Sequence, residues 1–502
     1  MTRLRTLFAA VVCACSLGTT VANAADVPLI LPSEKPAVTH HHITVNGRDL
    51  AYTASAGLLV IRGDENKPVT TMSYVAYTLD DAAKARRPLS FVYNGGPGSS
   101  SAWLHMGAFG PKVVTVTNAG TTPPPPYRLR DNADTLLDAT DLVFVDAPGT
   151  GYGRAYDGKA VWGVDQDART FATFVQDYIT QNDRWNSPKF LIGESYGTTR
   201  SANLVNKLAS RGIDCNGVVL ISTALDYHAI VPGPDNDLPY WLFLPSYAAV
   251  AAYHHALPQQ PADIGRFLDE VRTFARTDYL MALAQGDRLD SATRQRVIAK
   301  LHQYTGLPEH WIDLANLRIA PGKFEKELLR DQRRTIGRLD ARFTGIDRDA
   351  TDTSPDYDPA DAAMTPVYTA LFNMYTRDDL NWKLVNDSYR LVDYPEVSPA
   401  WDFRRSDNGF MGRVLAPAVT DDLRTALSKN PSLRVLAANG WYDLATPFMN
   451  TEYTLEHMGL DASLLSHVQF TYYPSGHMIY GDPASHAKLS TDIRHFIATQ
   501  TR

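Results

Sequence analysis

Gly193-Glu194-Ser195-Tyr196-Gly197 is the one G-x-S-x-G in the chain, and it follows the apolar run Phe190-Leu191-Ile192. Glycines on both sides of a serine permit a strand-to-helix turn so tight that neighbouring backbones meet and the serine hydroxyl is left exposed. A serine hydroxyl is a weak nucleophile until a base removes its proton. The pattern therefore calls for a histidine oriented by a carboxylate, in the chain order Ser, acid, His. Two later apolar runs end in such residues. Leu433 to Ala437 leads into Asn439-Gly440-Trp441-Tyr442-Asp443, and Val468 to Tyr473 leads into Pro474-Ser475-Gly476-His477-Met478. Singly each has an ordinary reading, Asp443 as the cap of a turn before Pro447 and His477 as a loop histidine. Jointly, in this order and each after a strand, they read as nucleophile Ser195, base His477 and orienter Asp443.

Acyl transfer at such a serine turns a carbonyl oxygen into an anion, which two backbone N–H groups must be waiting to receive. One comes from the residue after the nucleophile, Tyr196. The other comes from a glycine-rich loop after an earlier strand, and Asn94-Gly95-Gly96-Pro97-Gly98, after Leu89 to Tyr93, is such a loop.

Other clusters carry less. His40 to His42 lies in a β-like region without the carboxylate or cysteine spacing of a metal site, and HExxH is absent. Gly149-Thr150-Gly151-Tyr152-Gly153 has its third glycine one residue too early for a dinucleotide loop, and no Walker lysine exists. Neither a metal nor an organic cofactor is expected.

The elements that must position these residues follow an alternating rhythm. Ala51 to Arg62 and Thr70 to Leu79 alternate in apolar character, as antiparallel strands at a sheet edge do. Then Leu89 to Tyr93, Leu142 to Val145, Lys189 to Ile192, Val218 to Ile221, Leu433 to Ala437 and Val468 to Tyr473 are compact apolar runs suited to buried parallel strands. Candidate site residues thus fall at strand C-terminal ends, where open α/β sheets place their sites. Phe171, Val175 and Tyr178 mark a helix that Asp165 could cap, and the last helix is expected over 483–499. Between residues 225 and 414 strand signals vanish and helical spacings such as Ile264, Phe267, Leu268, Val271 and Phe274 take over. The reading is a sheet domain at 25–224 and 415–502, interrupted by a helical insertion at 225–414.

Arg3 and Arg5 before the apolar run Leu7 to Leu17, followed by Ala22-Asn23-Ala24, read as a signal peptide over 1–24, with Ala25 first in a mature, exported protein. Cys13 and Cys15 leave with it, so the mature chain keeps only Cys215 and cannot form an internal disulfide. Losing the two arginines takes the formal net charge from −7 to −9, which argues against nucleic acid and anionic membranes as partners. No later segment has the apolar length of a membrane span.

The motifs Asn94 to Ser101 (NGGPGSSS), Val145 to Tyr152 (VDAPGTGY), Gly193 to Gly197 (GESYG), Asn439 to Asp443 with Pro447, and Gly476-His477-Met478 together resemble the serine carboxypeptidase family. That resemblance implies an α/β-hydrolase fold, with a mostly parallel central sheet, an antiparallel N-terminal edge and a large helical cap. It also implies peptide substrates. Carried onto this chain, it gives the triad as Ser195, Asp443 and His477 and the oxyanion hole as the Gly96 and Tyr196 N–H groups. Recognition of the substrate's terminal carboxylate falls to Asn94, Gly95 and Glu194. Four departures stand out: Val92 replaces a usual tryptophan, Ala108 a second glutamate, Ser99 a cysteine, and the proline usual after the histidine motif is replaced near Tyr480. With Ala108 beside it, Glu194 lacks the neighbouring carboxyl that would help it keep a proton, so a weakened preference for free-carboxylate peptides is expected. The same acyl-enzyme also suits an acyltransferase or esterase, and a non-catalytic binding protein on this fold is the remaining alternative.

Overall fold

The computed structural model describes residues 31, 33–115, 122, 124–384, 387–405 and 417–501. The expected signal segment and the start at Ala25 lie outside them. Residues Glu34–Arg502 form one compact unit.

Its centre is a sheet of β1 (Ala37–Val45), β2 (Arg48–Arg62), β3 (Pro68–Leu79), β4 (Leu89–Tyr93), β5 (Asp141–Val145), β6 (Lys189–Ser195), β7 (Gly217–Thr223), β8 (Arg434–Gly440) and β9 (Val468–Tyr473). The spatial order is β1-β2-β3-β5-β4-β6-β7-β8-β9, with the short strand Arg154–Ala155 beside β3. From β5 to β9 along this order neighbours pair in parallel, whereas β1, β2 and β3 form an antiparallel edge that joins β5 antiparallel. This is the mostly parallel α/β sheet that the strand rhythm implied, in the α/β-hydrolase arrangement that the resemblance implied.

The central strands are mostly apolar because both faces are covered. Val92, Phe144, Ile192 and Val219 point into one core. It is closed by helix Pro359–Asp378 of the insertion and by the last helix, Pro483–Thr499. Phe91, Val143, Leu191 and Val218 point into the other, beneath α1 (Val164–Gln181) and α2 (Tyr196–Ser210). At the edge, β1 alternates exposed residues with half-buried and, toward its end, buried ones, and His40 and His42 there pair with Thr53 and Asp49.

Two local expectations are corrected. The N-cap of α1 is Gly163, and Asp165 sits inside the first turn, buried, accepting a hydrogen bond from Asn203 Nδ2 at 3.0 Å. The carboxylate is recruited by a neighbouring helix rather than by its own helix end. The insertion also contains an antiparallel hairpin, Arg334–Ile336 with Thr344–Ile346. These strands are too short to leave an alternating pattern. The insertion's other described elements are helices, and Leu268, Val271 and Phe274 of helix Ile264–Phe274 enter a separate core that Leu444, Phe448 and Met449 complete.

Candidate active site

β6 runs into α2 with no residue between them, and the junction is Ser195, at φ 59° and ψ −128°. A non-glycine residue at positive φ is strained and persists only where its surroundings impose it. The flanking glycines are imposed by contact. A Cβ at Gly193 would lie 2.3 Å from the Gly197 carbonyl oxygen, and one at Gly197 would lie 2.9 Å from the Tyr93 carbonyl oxygen. The elbow therefore presses α2 onto the end of β4. The Ser195 side chain is partly exposed.

His477 and Asp443 meet as the sequence implied. His477 Nδ1 donates to Asp443 Oδ2 at 2.8 Å, and both side chains are almost wholly buried. Asp443 is also the turn cap of its alternative reading: its Oδ1 accepts from the N–H groups of Ala445 and Thr446 at 2.7 and 2.8 Å. The Thr446 hydroxyl donates to Oδ2 at 2.7 Å. Every lone pair facing the protein is thus engaged, which fixes the carboxylate and through it the imidazole. Burial pulls the His477 pKa down, but the charge and hydrogen bond of Asp443, with the charge of Glu194, outweigh it and leave the pKa above the ordinary 6.5. The Ser195 hydroxyl makes no hydrogen bond with any described residue. In free enzymes this contact is commonly long and closes with substrate.

Asn94 to Ser101 packs against the elbow. A Cβ on Gly95 would fall 2.3 Å from the Tyr196 nitrogen, so only glycine lets the loop lie this close. Among the described residues the N–H groups of Gly96 and Tyr196 donate to nothing, which leaves both free for an oxyanion. The loop is held from below by Arg200, which is fully buried. Its Nη1 donates to the Asn94 carbonyl at 2.7 Å, and its Nε and Nη2 donate to Asp167 at 2.7 and 3.2 Å. Asp146 of the VDAPGTGY motif braces the loop from the side, accepting from Ser101 N at 2.9 Å, Ser73 Oγ at 2.6 Å and Tyr389 Oη at 2.7 Å. Gly151 is glycine because a Cβ would strike that carboxylate at 2.1 Å. The glycine cluster is therefore part of this brace. Ser99 accepts from Trp103 Nε1 at 3.1 Å.

Glu194, next to Ser195, is buried, with Oε1 accepting from Asn94 Nδ2 at 2.7 Å. Burial raises its pKa to about 7, against smaller lowering by the charge of His477 and the polar groups of Tyr480 and Asn94. This corrects the expectation that Glu194 would hold its proton weakly. Ala108 and Val92 are both buried and bring no polar side chain to help, yet dehydration alone does what a second carboxyl would have done. The Tyr480 hydroxyl approaches Glu194 without reaching hydrogen-bond geometry, so Tyr480 Oη and Glu194 Oε2 are both buried and unpartnered.

The motifs gave no sign of the segment Gly337–Phe343, from the insertion. Its backbone is stitched to the loops that carry Asp443 and His477. The Arg338 carbonyl accepts from Leu444 N at 3.0 Å, Ala341 N donates to the Tyr442 carbonyl at 3.0 Å, and His477 N donates to the Leu339 carbonyl at 2.6 Å. The buried Arg342 guanidinium pairs with Asp340 at 2.6 Å and donates to Ser475 Oγ at 3.1 Å and the Pro474 carbonyl at 3.3 Å. The insertion thus helps to set the distance between Asp443 and His477.

No group of three or more His, Cys, Asp or Glu side chains able to hold a metal occurs among the described residues. No helix among them is long and apolar enough to cross a membrane.

Solved structures similar to this chain include proline iminopeptidase of Mycobacterium smegmatis, at 13% identity and TM-score 0.35, covering 89% of this chain and 99% of that one. A peroxisomal alpha-beta-hydrolase of Saccharomyces cerevisiae matches at 10% identity and TM-score 0.36, covering 89% of each chain. Juvenile hormone epoxide hydrolase of the silkworm Bombyx mori matches at 9% identity and TM-score 0.31, covering 89% of this chain and 76% of that one. No curated protein matches the chain. The sequence match is to a hydrolase family: residues 50–223, which carry the glycine loop, the brace and the serine elbow but neither Asp443 nor His477, match the model of the serine carboxypeptidases.

Proposed function

We propose that this protein is an exported serine carboxypeptidase-like hydrolase that releases C-terminal residues from peptides through an acyl-enzyme. The observation that carries the reading is the strained Ser195, set at the same sheet end as the His477–Asp443 pair and directly after the buried, protonatable Glu194. In this mechanism Ser195 Oγ attacks the scissile carbonyl while His477 takes its proton. The Gly96 and Tyr196 N–H groups receive the oxyanion, and His477 then protonates the departing amine. Water, activated by the same imidazole, releases the acyl group.

A mixed peptide library, analysed by mass spectrometry after incubation, tests the reading. Residues leaving singly from the C-terminus support it. Internal cleavage, or products found only as esters and amides of an added nucleophile, would move the protein to another hydrolase class or to acyl transfer. Export rests on Arg3, Arg5, the apolar run to Leu17 and Ala22-Asn23-Ala24. Protein recovered from its native host should begin at Ala25, and an N-terminal Met1 counts against processing.

Glu194 gives the reading a pH signature. Below about 7 its carboxyl is neutral and can donate to a substrate carboxylate, whereas above about 7 it is charged and repels. Activity on free-carboxylate peptides is expected to fall as pH rises through that value. Glu194→Gln, neutral at every pH, should abolish the fall. It should also move the acid limb to lower pH, because the Glu194 charge helps to raise the His477 pKa. Unchanged kcat/KM profiles would remove Glu194 from carboxylate recognition. Stability follows the same proton. Folded Glu194 binds it more tightly than the unfolded chain, so stability declines between about 4.5 and about 7, and the variant loses that slope.

A further inference from the structure

Arg338 sits where the insertion meets both triad loops. Its carbonyl bonds the residue after Asp443, and the carbonyl of its neighbour Leu339 bonds His477 N. Its backbone is thereby pinned beside the base, but its side chain is exposed. Among the described residues the guanidinium makes no hydrogen bond and no ion pair, in contrast to Arg342, which is buried and fully engaged. Glu325 and Asp358 feel the charge of Arg338, yet neither pairs with it. That charge also reaches the two sides of the site, His477 and Tyr394, and the Tyr394 ring lies against Gly96 and Gly98 of the oxyanion loop. An exposed cation with no partner among the described residues is thus carried on backbone bonded to the loops of both Asp443 and His477, and its field reaches the base.

The departing group must bring its nitrogen to His477 to be protonated. If that group is a C-terminal amino acid, its carboxylate is only two bonds from the nitrogen and arrives on the same side as Arg338. Glu194 is at best neutral and Ala108 and Val92 are apolar, so none of these offers the permanent positive charge that Arg338 carries. A guanidinium keeps its charge at any working pH, and its planar fork matches a carboxylate with two parallel hydrogen bonds.

We propose that Arg338 is the specificity-determining residue that pairs with the terminal carboxylate of the departing amino acid. The inference rests on the carboxypeptidase reading and deepens it, because it moves the charged part of carboxylate recognition from the core motifs to the insertion.

The test compares one N-blocked dipeptide with its C-terminal amide and with a small uncharged ester, in the wild type, Arg338→Gln and Arg338→Lys. Since only the Arg338 carbonyl holds the fold locally, both variants should unfold at the wild-type temperature. Arg338→Gln is expected to lower kcat/KM for the free acid by about tenfold or more, mainly through KM, with the amide and ester changed less than about twofold. Arg338→Lys should recover part of the loss. An equal loss on all three substrates would show that Arg338 acts through His477 and overturn the proposal. So would a wild type that prefers the free acid and an Arg338→Gln variant that prefers it as strongly, although the carboxypeptidase reading would then stand. A wild type indifferent to the free carboxylate would overturn the reading itself and this inference with it.

Discussion

Ser195→Ala is expected to lower kcat by about 10⁴-fold or more and to abolish covalent labelling by a fluorophosphonate, without weakening the fold. The hydroxyl makes no hydrogen bond with any described residue, so removing it leaves no buried partner unpaired. Alanine keeps a Cβ at φ 59°, so the strain at the elbow is retained rather than relieved. The thermal unfolding midpoint should therefore match that of the wild type. Labelling that persists in the variant would place the nucleophile elsewhere.

Asp443→Asn is expected to cost a similar factor, about 10⁴ in kcat, by reversing the histidine tautomer. The amide oxygen would remain on the Ala445 and Thr446 N–H groups, which demand an acceptor. The amide NH₂ would then face His477 Nδ1, forcing that nitrogen to accept and placing the imidazole proton on Nε2, where it cannot take a proton from serine. With the Asp443 charge gone, the His477 pKa should also fall. A loss under tenfold at pH 8 would mean that Asp443 does not orient the base.

The proposed catalytic positions were readable because each is the end of a strand, and buried parallel strands announce themselves as short apolar runs. Phe190 to Ile192, Val468 to Tyr473 and, but for Leu433 itself, Leu433 to Ala437 fall in the sheet, and the residues after them converge. Asp165 shows the limit of local reasoning. A carboxylate near a helix start is a good cap by itself, but Asn203 on a neighbouring helix claims it. Glu194 shows another. Counting neighbouring side chains suggested a weakly held proton, whereas the decisive quantity was the absence of water around the carboxyl, which exists only once the chain is packed. The segment Gly337–Phe343 was invisible for a third reason. It acts mostly through backbone groups, which every residue has, and its partners lie more than a hundred residues away. Thr446 could have been anticipated, since a hydroxyl three residues after a turn-capping aspartate is placed to bond it.

The ion pair of Arg200 with Asp167 beneath the oxyanion loop also constrains how this chain can change by descent. Both side chains are fully buried, and removing one partner strands a charge at a cost of about 3–5 kcal/mol, a large share of the total of about 5–15 kcal/mol that keeps a typical domain folded. Replacing both together with apolar residues of similar volume is tolerated far better, except that the Asn94 carbonyl would lose its Arg200 hydrogen bond. Substitution at these two sites is therefore a passage through a non-viable single step. Relatives of this chain should carry the pair intact or have lost both members at once, and a lineage that has lost both should show a second donor brought to the carbonyl of the loop asparagine.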